Sequence, residues 1–383
     1  MYIPRLISDQ IKAKITQSSK VVVMYGARQV GKTTLVNHIV DALPLRSVRI
    51  DAEDARYIEV LSSKNVERLK SLVAGYQLLV IDEAQQIPEI GTTLKLIHDH
   101  ISDVRVIATG SSSFDLSNKL MEPLTGRHWA FTLYPISYGE LAQNHNAFEL
   151  DQRLEHDLVY GTYPEIIATF PPEEKREYLN RLCSSYLFKD VLQMTQIRSS
   201  LKLRQLLKLL AYQIGNQVSL SELATRLDMG KDTASRYIDL LEKSFVVFRL
   251  SGLSRNLRNE VTKMDKIYFY DLGIRNSLID MLKPIQDRND LGQLWENFLI
   301  SERMKNNAYS NKSASTYFWR LSTGAEIDLV EETEGNYHGY EFKWGDKQAK
   351  PPASWQAGYV DSTFMTINRS NYLSFIMNTD RNK

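Results

Sequence analysis

The chain has 383 residues, 43% of them hydrophobic and 24% charged, and its 47 Lys and Arg balance 46 Asp and Glu to a formal net charge of +1. At about 150 residues per domain this length predicts two or three domains with real cores, and the composition excludes wholesale disorder, collagen-like repeats and a membrane bundle. The near-neutral balance gives no global steering toward nucleic acid, and leaves a local basic face open. The one cysteine, Cys183, makes neither an intrachain disulfide nor a Cys-based zinc site. The seven histidines are scattered, and no carboxylate completes a metal spacing around His98 and His100. The opening MYIPRLISDQIKAKI lacks the apolar core of a signal peptide, and apolar runs such as 78–81 are too short to cross a bilayer. A reduced, cytoplasmic protein with no membrane partner is the expectation.

Taken in chain order, VVVMY (21–25) is a β-branched apolar run that ends at glycine and reads as a buried strand. A Gly-rich turn and the helical spacing of TTLVNHIVDAL follow. The runs at 46–51, 77–82, 104–109 and 128–133 are short and apolar, separated by helical or polar stretches. Strands alternating with helices predict an α/β domain with a parallel sheet over 1–137. Residues 138–215 carry helical patterning and are expected to form a connector or lid. In 216–262, Ser221 is expected to cap a first helix, Gly230 to turn the chain and Asp232 to cap a second helix before the strand FVVFRL. Helix, glycine turn, helix, strand is the layout of a winged helix-turn-helix. The aromatic, alternating runs of 263–383, with EGN (334–336) punctuating a hairpin, predict a further domain containing both strands and helices.

The most informative segment is GARQVGKT, which matches G-x-x-x-x-G-K-[ST] at every fixed position, after a strand and before a helix. Gly26 and Gly31 allow a tight loop whose N–H groups face phosphates, and Ala27, Arg28, Gln29 and Val30 complete it. Lys32 reaches the β and γ phosphates, the Thr33 hydroxyl ligates Mg²⁺, and Thr34 continues into a helix whose positive end faces the same charge. LLVIDEAQ (78–85) then delivers Asp82, placed to hold Mg²⁺, and Glu83, placed to polarise an attacking water as general base. In TGSSS (109–113), Thr109 and Ser111 are candidate γ-phosphate sensors, though a simple turn explains these residue types equally well. Arg127, just before the strand at 128–133, is a candidate finger on its own or a neighbour's γ-phosphate, with an ordinary surface ion pair as the alternative.

Near the C-terminus, strand alternation puts Asp328 on the face opposite Ile327 and Leu329, and puts Glu341 and Lys343 on one face of the next strand. If these strands pair, two carboxylates and an ammonium converge, with Glu296 reaching in from the helical run LWENFL. Two acids can hold a divalent metal at a phosphodiester and a lysine can orient water; solvated ion pairs are the plain alternative. Around the second helix of the helix-turn-helix, Lys231, Thr233, Ser235 and Arg236 lie where base and phosphate contacts arise, while Asp232 and Asp239 oppose a strongly basic face.

GARQVGKTTL, LLVIDEAQ, ATGSSS, LTGR, YPISYGE and GTYPEI, followed by RYIDLLEKSFVV, RNLRNE, KIYFYDLGIRN, LWENFL, GAEIDLV and EFKW, occur in an order that resembles AAA-type ATPases widespread in bacteria and archaea. In that family the ATPase precedes a winged-helix region and a C-terminal PD-(D/E)XK nuclease-like domain. The resemblance covers nearly the whole chain and implies ATP with Mg²⁺ as cofactors, homo-oligomerisation, and DNA as a partner of the winged helix and C-terminal domain. It supports the domain order without establishing a substrate, and it carries the Asp…Glu-x-Lys pattern of the nuclease fold onto Asp328, Glu341 and Lys343, with Ile327 where a proline is usual. The asparagine common as first sensor is replaced here by Thr and Ser. An ATPase acting on nucleic acid is the leading reading; a nucleotide-gated nuclease and a protein-binding scaffold with an inactive nuclease-like domain stand beside it.

Overall fold

Five short strands form the first sheet: β1 (Val21–Tyr25), β2 (Ser47–Asp51), β3 (Leu78–Asp82), β4 (Arg105–Gly110) and β5 (His128–Thr132). The computed structural model describes residues 2–111, 123–169, 171–186, 199–254 and 264–377. The strand order is β2-β3-β4-β1-β5 and every ladder is parallel, as the α/β pattern predicts. All five residues of β1 are buried because helices cover both faces. Alternate side chains feed two cores. Val22 and Met24 join Ile11 and Ile15 of the helix Ser8–Gln17 and Leu35 and Ile39 of the helix Lys32–Asp41. Val21, Val23 and Tyr25 join Leu61, Leu69 and Leu94 from helices on the other face. With every strand running the same way, the loops after β1, β3 and β4 gather at one edge of the sheet.

Beyond β5 the described residues are mainly helical as far as Tyr212. The helices Tyr138–Leu141 and Ala147–Tyr160 begin in capping boxes, Ser137 with Glu140 and Asn146 with Glu149. Part of the expected helical stretch, 187–198, lies outside the described residues, as does 255–263.

The two helices expected to form a helix-turn-helix are Leu220–Arg226 and Lys231–Lys243. Its caps differ from the expectation. Ser219, not Ser221, caps the first helix by accepting from the Glu222 N–H, and Gly230, not Asp232, precedes the second. The spacing Ser219-x-x-Glu222 is itself a capping signature, and Asp232 falls in the first turn, where its charge favours the helix dipole.

A six-stranded second sheet has the order β11-β10-β9-β8-β6-β7. It comprises β6 (Val247–Gly252), β7 (Lys266–Phe269), β8 (Ser315–Arg320), β9 (Glu326–Thr333), β10 (Asn336–Phe342) and β11 (Thr363–Ile367). The strand that follows these two helices, β6, pairs antiparallel with β7 and parallel with β8. One sheet therefore runs across position 262, where the sequence suggested a boundary. The β9–β10 hairpin turns at Glu334 and Gly335, both at positive φ (52° and 82°), at the EGN punctuation. The helix Leu291–Tyr309 packs against this sheet with Leu294, Trp295, Phe298 and Leu299 buried, and its last turn reaches back to the first domain. No helix among the described residues is long and apolar enough to cross a membrane.

Candidate functional site at the phosphate loop

The loop after β1 has a backbone that few sequences tolerate. Gln29 and Gly31 take positive φ (62° and 97°), and Gly26 sits at +152° where a Cβ would lie 2.3 Å from the Leu133 carbonyl oxygen. Only glycine fits the last position. Alternation of this kind builds a concave nest of backbone N–H groups, and it opens directly into the helix Lys32–Asp41. Lys32 is buried, and its ammonium donates to the carbonyls of Gly26 and Ala27, both at 2.9 Å, which holds its charge across the loop.

The strand ends supply the rest. Thr33 Oγ1 donates to Asp82 Oδ2 at 2.7 Å, and Thr109 Oγ1 donates to the other carboxylate oxygen. The Glu83 N–H is shared between Asp82 Oδ1 and Thr109 Oγ1, each at 3.2 Å. Glu83 itself stands at a left-handed φ of 50°, which turns its side chain out of strand alternation and toward the cleft. Gln85 donates to the Glu83 carboxylate and, at 3.2 Å, to Ser111 Oγ. Thr33, Asp82, Glu83, Thr109 and Ser111 therefore form one connected polar network beside Lys32. Ser112 and Ser113, from the same run, lie outside the described residues.

A cleft of about 670 Å³ opens over this network. Arg28, Gln29, Gly31, Lys32, Thr33, Thr34 and Glu83 line one side, and Glu165, Tyr178 and Arg181 of the helical region line the other. Arg181 belongs to none of the quoted runs and Glu165 lies in GTYPEI, to which the sequence reading gave no role at the cleft; the fold brings both here. Arg127 is not brought here. It precedes β5, so it lies at the edge opposite the phosphate loop, about 16 Å away along β1 at roughly 3.3 Å per residue. There it pairs with Asp99 at 3.0 Å. Strand polarity alone decides this: a residue before a parallel strand and a loop after its neighbour sit at opposite edges.

The donor set suits a magnesium nucleotide. Thr33 and Asp82 offer a hydroxyl and a carboxylate oxygen, the few protein ligands that Mg²⁺ takes when phosphates and water supply the others. The loop offers backbone donors and a lysine to the phosphates.

The C-terminal acids do come together. Asp328 accepts from the Phe342 N–H at 2.8 Å, and Glu341 pairs with Lys343 at 2.7 Å. Burial, then the Glu296 and Glu341 charges, push the Asp328 carboxyl well above its ordinary range. The sequence did not reveal the residue at the centre. Lys266 of β7, 1% exposed, pairs with Glu296 at 3.0 Å and with Glu326 at 2.6 Å, while the Tyr268 hydroxyl donates to Glu296 at 2.5 Å. Glu326 was legible, two residues before Asp328 on the same strand face. Lys266 was not, because its partners lie far along the chain. Among the described residues no group of three or more His, Cys, Asp or Glu side chains is arranged to hold a metal ion. The divalent metal implied by the nuclease resemblance does not fit this cluster, since its acids are not arranged as a metal site and two of them share the single charge of the Lys266 ammonium.

Residues 18–142 match the family described as AAA domain, residues 151–284 a domain of unknown function (DUF8612), and residues 291–359 a domain of unknown function (DUF4143). An uncharacterized protein of Mycobacterium tuberculosis is 27% identical over 84% of this chain and 70% of its own length. One from Methanocaldococcus jannaschii is 23% identical over 85% of this chain and 75% of its own. Among solved structures, the Walker-type ATPase paby2304 of Pyrococcus abyssi aligns with a TM-score of 0.49 at 13% identity, covering 72% of this chain and 96% of that one. The Thermotoga maritima RuvB Holliday junction branch migration motor aligns with a TM-score of 0.32 at 18% identity, covering 64% and 90%. Neither reaches 0.5, so the family match over 18–142 and the geometry of the loop carry the assignment. Residues 18–142 thus carry both the AAA domain match and the phosphate loop.

Proposed function

We propose that the protein binds and hydrolyses ATP with Mg²⁺ at the cleft over Gly26–Thr33, and couples that cycle to nucleic acid through its later domains. The observation that carries the reading is the single network joining Thr33, Asp82, Thr109 and Glu83 beside Lys32 at the mouth of the phosphate loop. The metal, when bound, supplies charge neutralisation at the phosphates. Lys32 and the loop N–H groups hold the β and γ phosphates, and Thr33 and Asp82 supply oxygen ligands. Glu83, oriented by Gln85, takes a proton from the attacking water. Thr109 and Ser111 set the orientations of Asp82 and Gln85. Arg181 in cis stabilises charge on the γ-phosphate; Arg127, out of reach of its own cleft, acts only on a neighbouring copy in a homo-oligomer.

The test is steady-state ATP hydrolysis with and without DNA. Lys32→Ala is expected to abolish nucleotide binding, and Glu83→Gln to bind ATP but lower turnover by about 10²-fold or more. Turnover stimulated by DNA supports the nucleic-acid reading, with the exposed Lys231 and Arg236 of the second helix as phosphate contacts.

One observation favours a second reading. The Lys266 pairing in the acid cluster speaks for a nuclease-like domain that does not cut, and hence for a nucleotide-dependent protein-binding scaffold. That reading expects turnover indifferent to DNA, and DNA left intact with Mg²⁺ or Mn²⁺. Cleavage lost on Asp328→Ala would instead establish the nucleotide-gated nuclease.

A further inference from the structure

The phosphate loop is held from behind by a residue that no nucleotide-binding motif contains. Arg5 is 5% exposed, and its guanidinium reaches four groups from three parts of the chain. Nη1 donates to the Val30 carbonyl at 2.8 Å, one residue before Gly31. Nε donates to Glu140 Oε1 at 2.8 Å. Nη2 donates to the Tyr134 carbonyl at 2.6 Å and to the Tyr309 hydroxyl at 3.4 Å. That hydroxyl also accepts from the Tyr134 N–H at 3.0 Å. Tyr309 is the last residue of the long C-terminal helix, and its carbonyl is tied to the N-terminal helix by Gln10 Nε2 at 2.6 Å.

Two physical consequences follow. The Val30 carbonyl and the Gly31 N–H belong to one peptide plane, so fixing the carbonyl fixes the direction in which that N–H points. A buried guanidinium whose donors are spread over a rigid fork cannot move toward one partner without leaving another. The orientation of a phosphate-facing amide is therefore set jointly with the position of the C-terminal helix.

We propose that Arg5 is a positioning residue that locks the phosphate loop to the end of the helix Leu291–Tyr309, so that the C-terminal half of the chain governs nucleotide affinity. The inference rests on the nucleotide-binding reading above. Arg5 touches no phosphate; it acts through Val30. Coupling runs both ways by thermodynamic necessity: whatever shifts Tyr309 changes ATP affinity, and ATP shifts the helix end to the same degree.

The deciding variant is Tyr309→Phe in the full chain, because Arg5→Ala also strands the buried carboxylate of Glu140. Binding of a fluorescent ATP analogue with Mg²⁺ is measured well below the melting temperature of each variant, with amide exchange across 30–33 followed in parallel. Tyr309→Phe is expected to weaken binding about tenfold, the equivalent of one hydrogen bond to a charged group, and to raise exchange at 30–33. Arg5→Lys keeps the charge but not the fork, and is expected to weaken binding at least as much. The double variant is expected to fall well short of the product of the two effects, because both remove one coupled unit. Wild-type affinity and exchange in folded Tyr309→Phe, or effects that simply multiply, would overturn the proposal. Lys32→Ala separates the two claims: if it binds as tightly as the parent, the nucleotide reading has failed rather than the coupling.

Discussion

Glu331 and Asp271 are both buried carboxylates, yet their environments give them opposite dependence on pH. Burial alone would raise Glu331, but hydrogen bonds and charge from Arg303, then Asn307 and Lys312, overcome it and hold the carboxyl down at about 2. Such a group contributes stability that is present above its unfolded value near 4.5 and is lost as pH falls toward 2; the shift corresponds to about 3 kcal/mol. Glu331→Gln is therefore expected to lower stability by about that order at pH 7 and to flatten the acid limb, as read by urea unfolding from pH 2 to 7. For Asp271, burial outweighs the N–H donors of Thr162, Ile274 and Gly273 and pushes the carboxyl up to about 6. Its contribution has the reverse sign: between about 4 and 6 it makes stability fall as pH rises. Asp271→Asn nonetheless is expected to destabilise, because both oxygens accept backbone N–H groups and an amide nitrogen would face one of them. In the nucleotide cleft, Arg181→Ala is expected to lower kcat tenfold or more with little change in affinity, whereas Arg127→Ala is expected to matter only at concentrations where copies associate; turnover across a dilution series distinguishes them.

At the scale of elements, the segment GTYP and the helix Leu272–Leu278 meet so closely that only glycine fits on either side. A Cβ on Gly161 would lie 2.1 Å from Asp271 Oδ1, and one on Gly273 would lie 2.0 Å from the Tyr160 carbonyl oxygen. Gly273→Ala is expected to cost about 2 kcal/mol or more by forcing the helix off its neighbour, a loss that thermal unfolding would register. Because Pro164 and Glu165 follow directly and line the cleft, the same variant should also weaken nucleotide binding. How legible such elements were depended on the range of their causes. The central strands β1, β3 and β4 read clearly, since each carries an apolar run whose burial on both faces leaves a local mark. The phosphate loop read clearly because its residue types answer to a local backbone need. The second sheet did not: β6 finds partners in β7 and β8, and nothing within 247–252 records which strands lie beside it. The helix caps at Ser219 and Gly230 were available to a stricter reading, whereas Lys266, Arg5 and Arg181 owe their roles to contacts across the chain.

For the molecule as a whole, the two sheets are not independent modules strung along a line. Tyr138 N–H donates to Glu302 at 2.7 Å, Thr162 N–H to Asp271 at 2.7 Å, and Asn276 to the carbonyls of Leu158 and Val159. Truncation after residue 263 would leave these buried groups without partners and expose the apolar flank of β6, and such a fragment is expected to aggregate rather than act as a free ATPase. The clasp between Arg5 and Tyr309 spans 304 positions. At 5–20 residues per second a ribosome needs about 15–60 s to cover that interval. From Thr33 onward the growing chain holds a complete phosphate-loop sequence whose rear anchor has not yet been made. A stalled nascent chain ending near residue 290 should therefore retain nucleotide poorly, and full retention should appear only once the long helix has cleared the exit tunnel. Emergence of Tyr309 would then be the event that readies the phosphate loop for nucleotide.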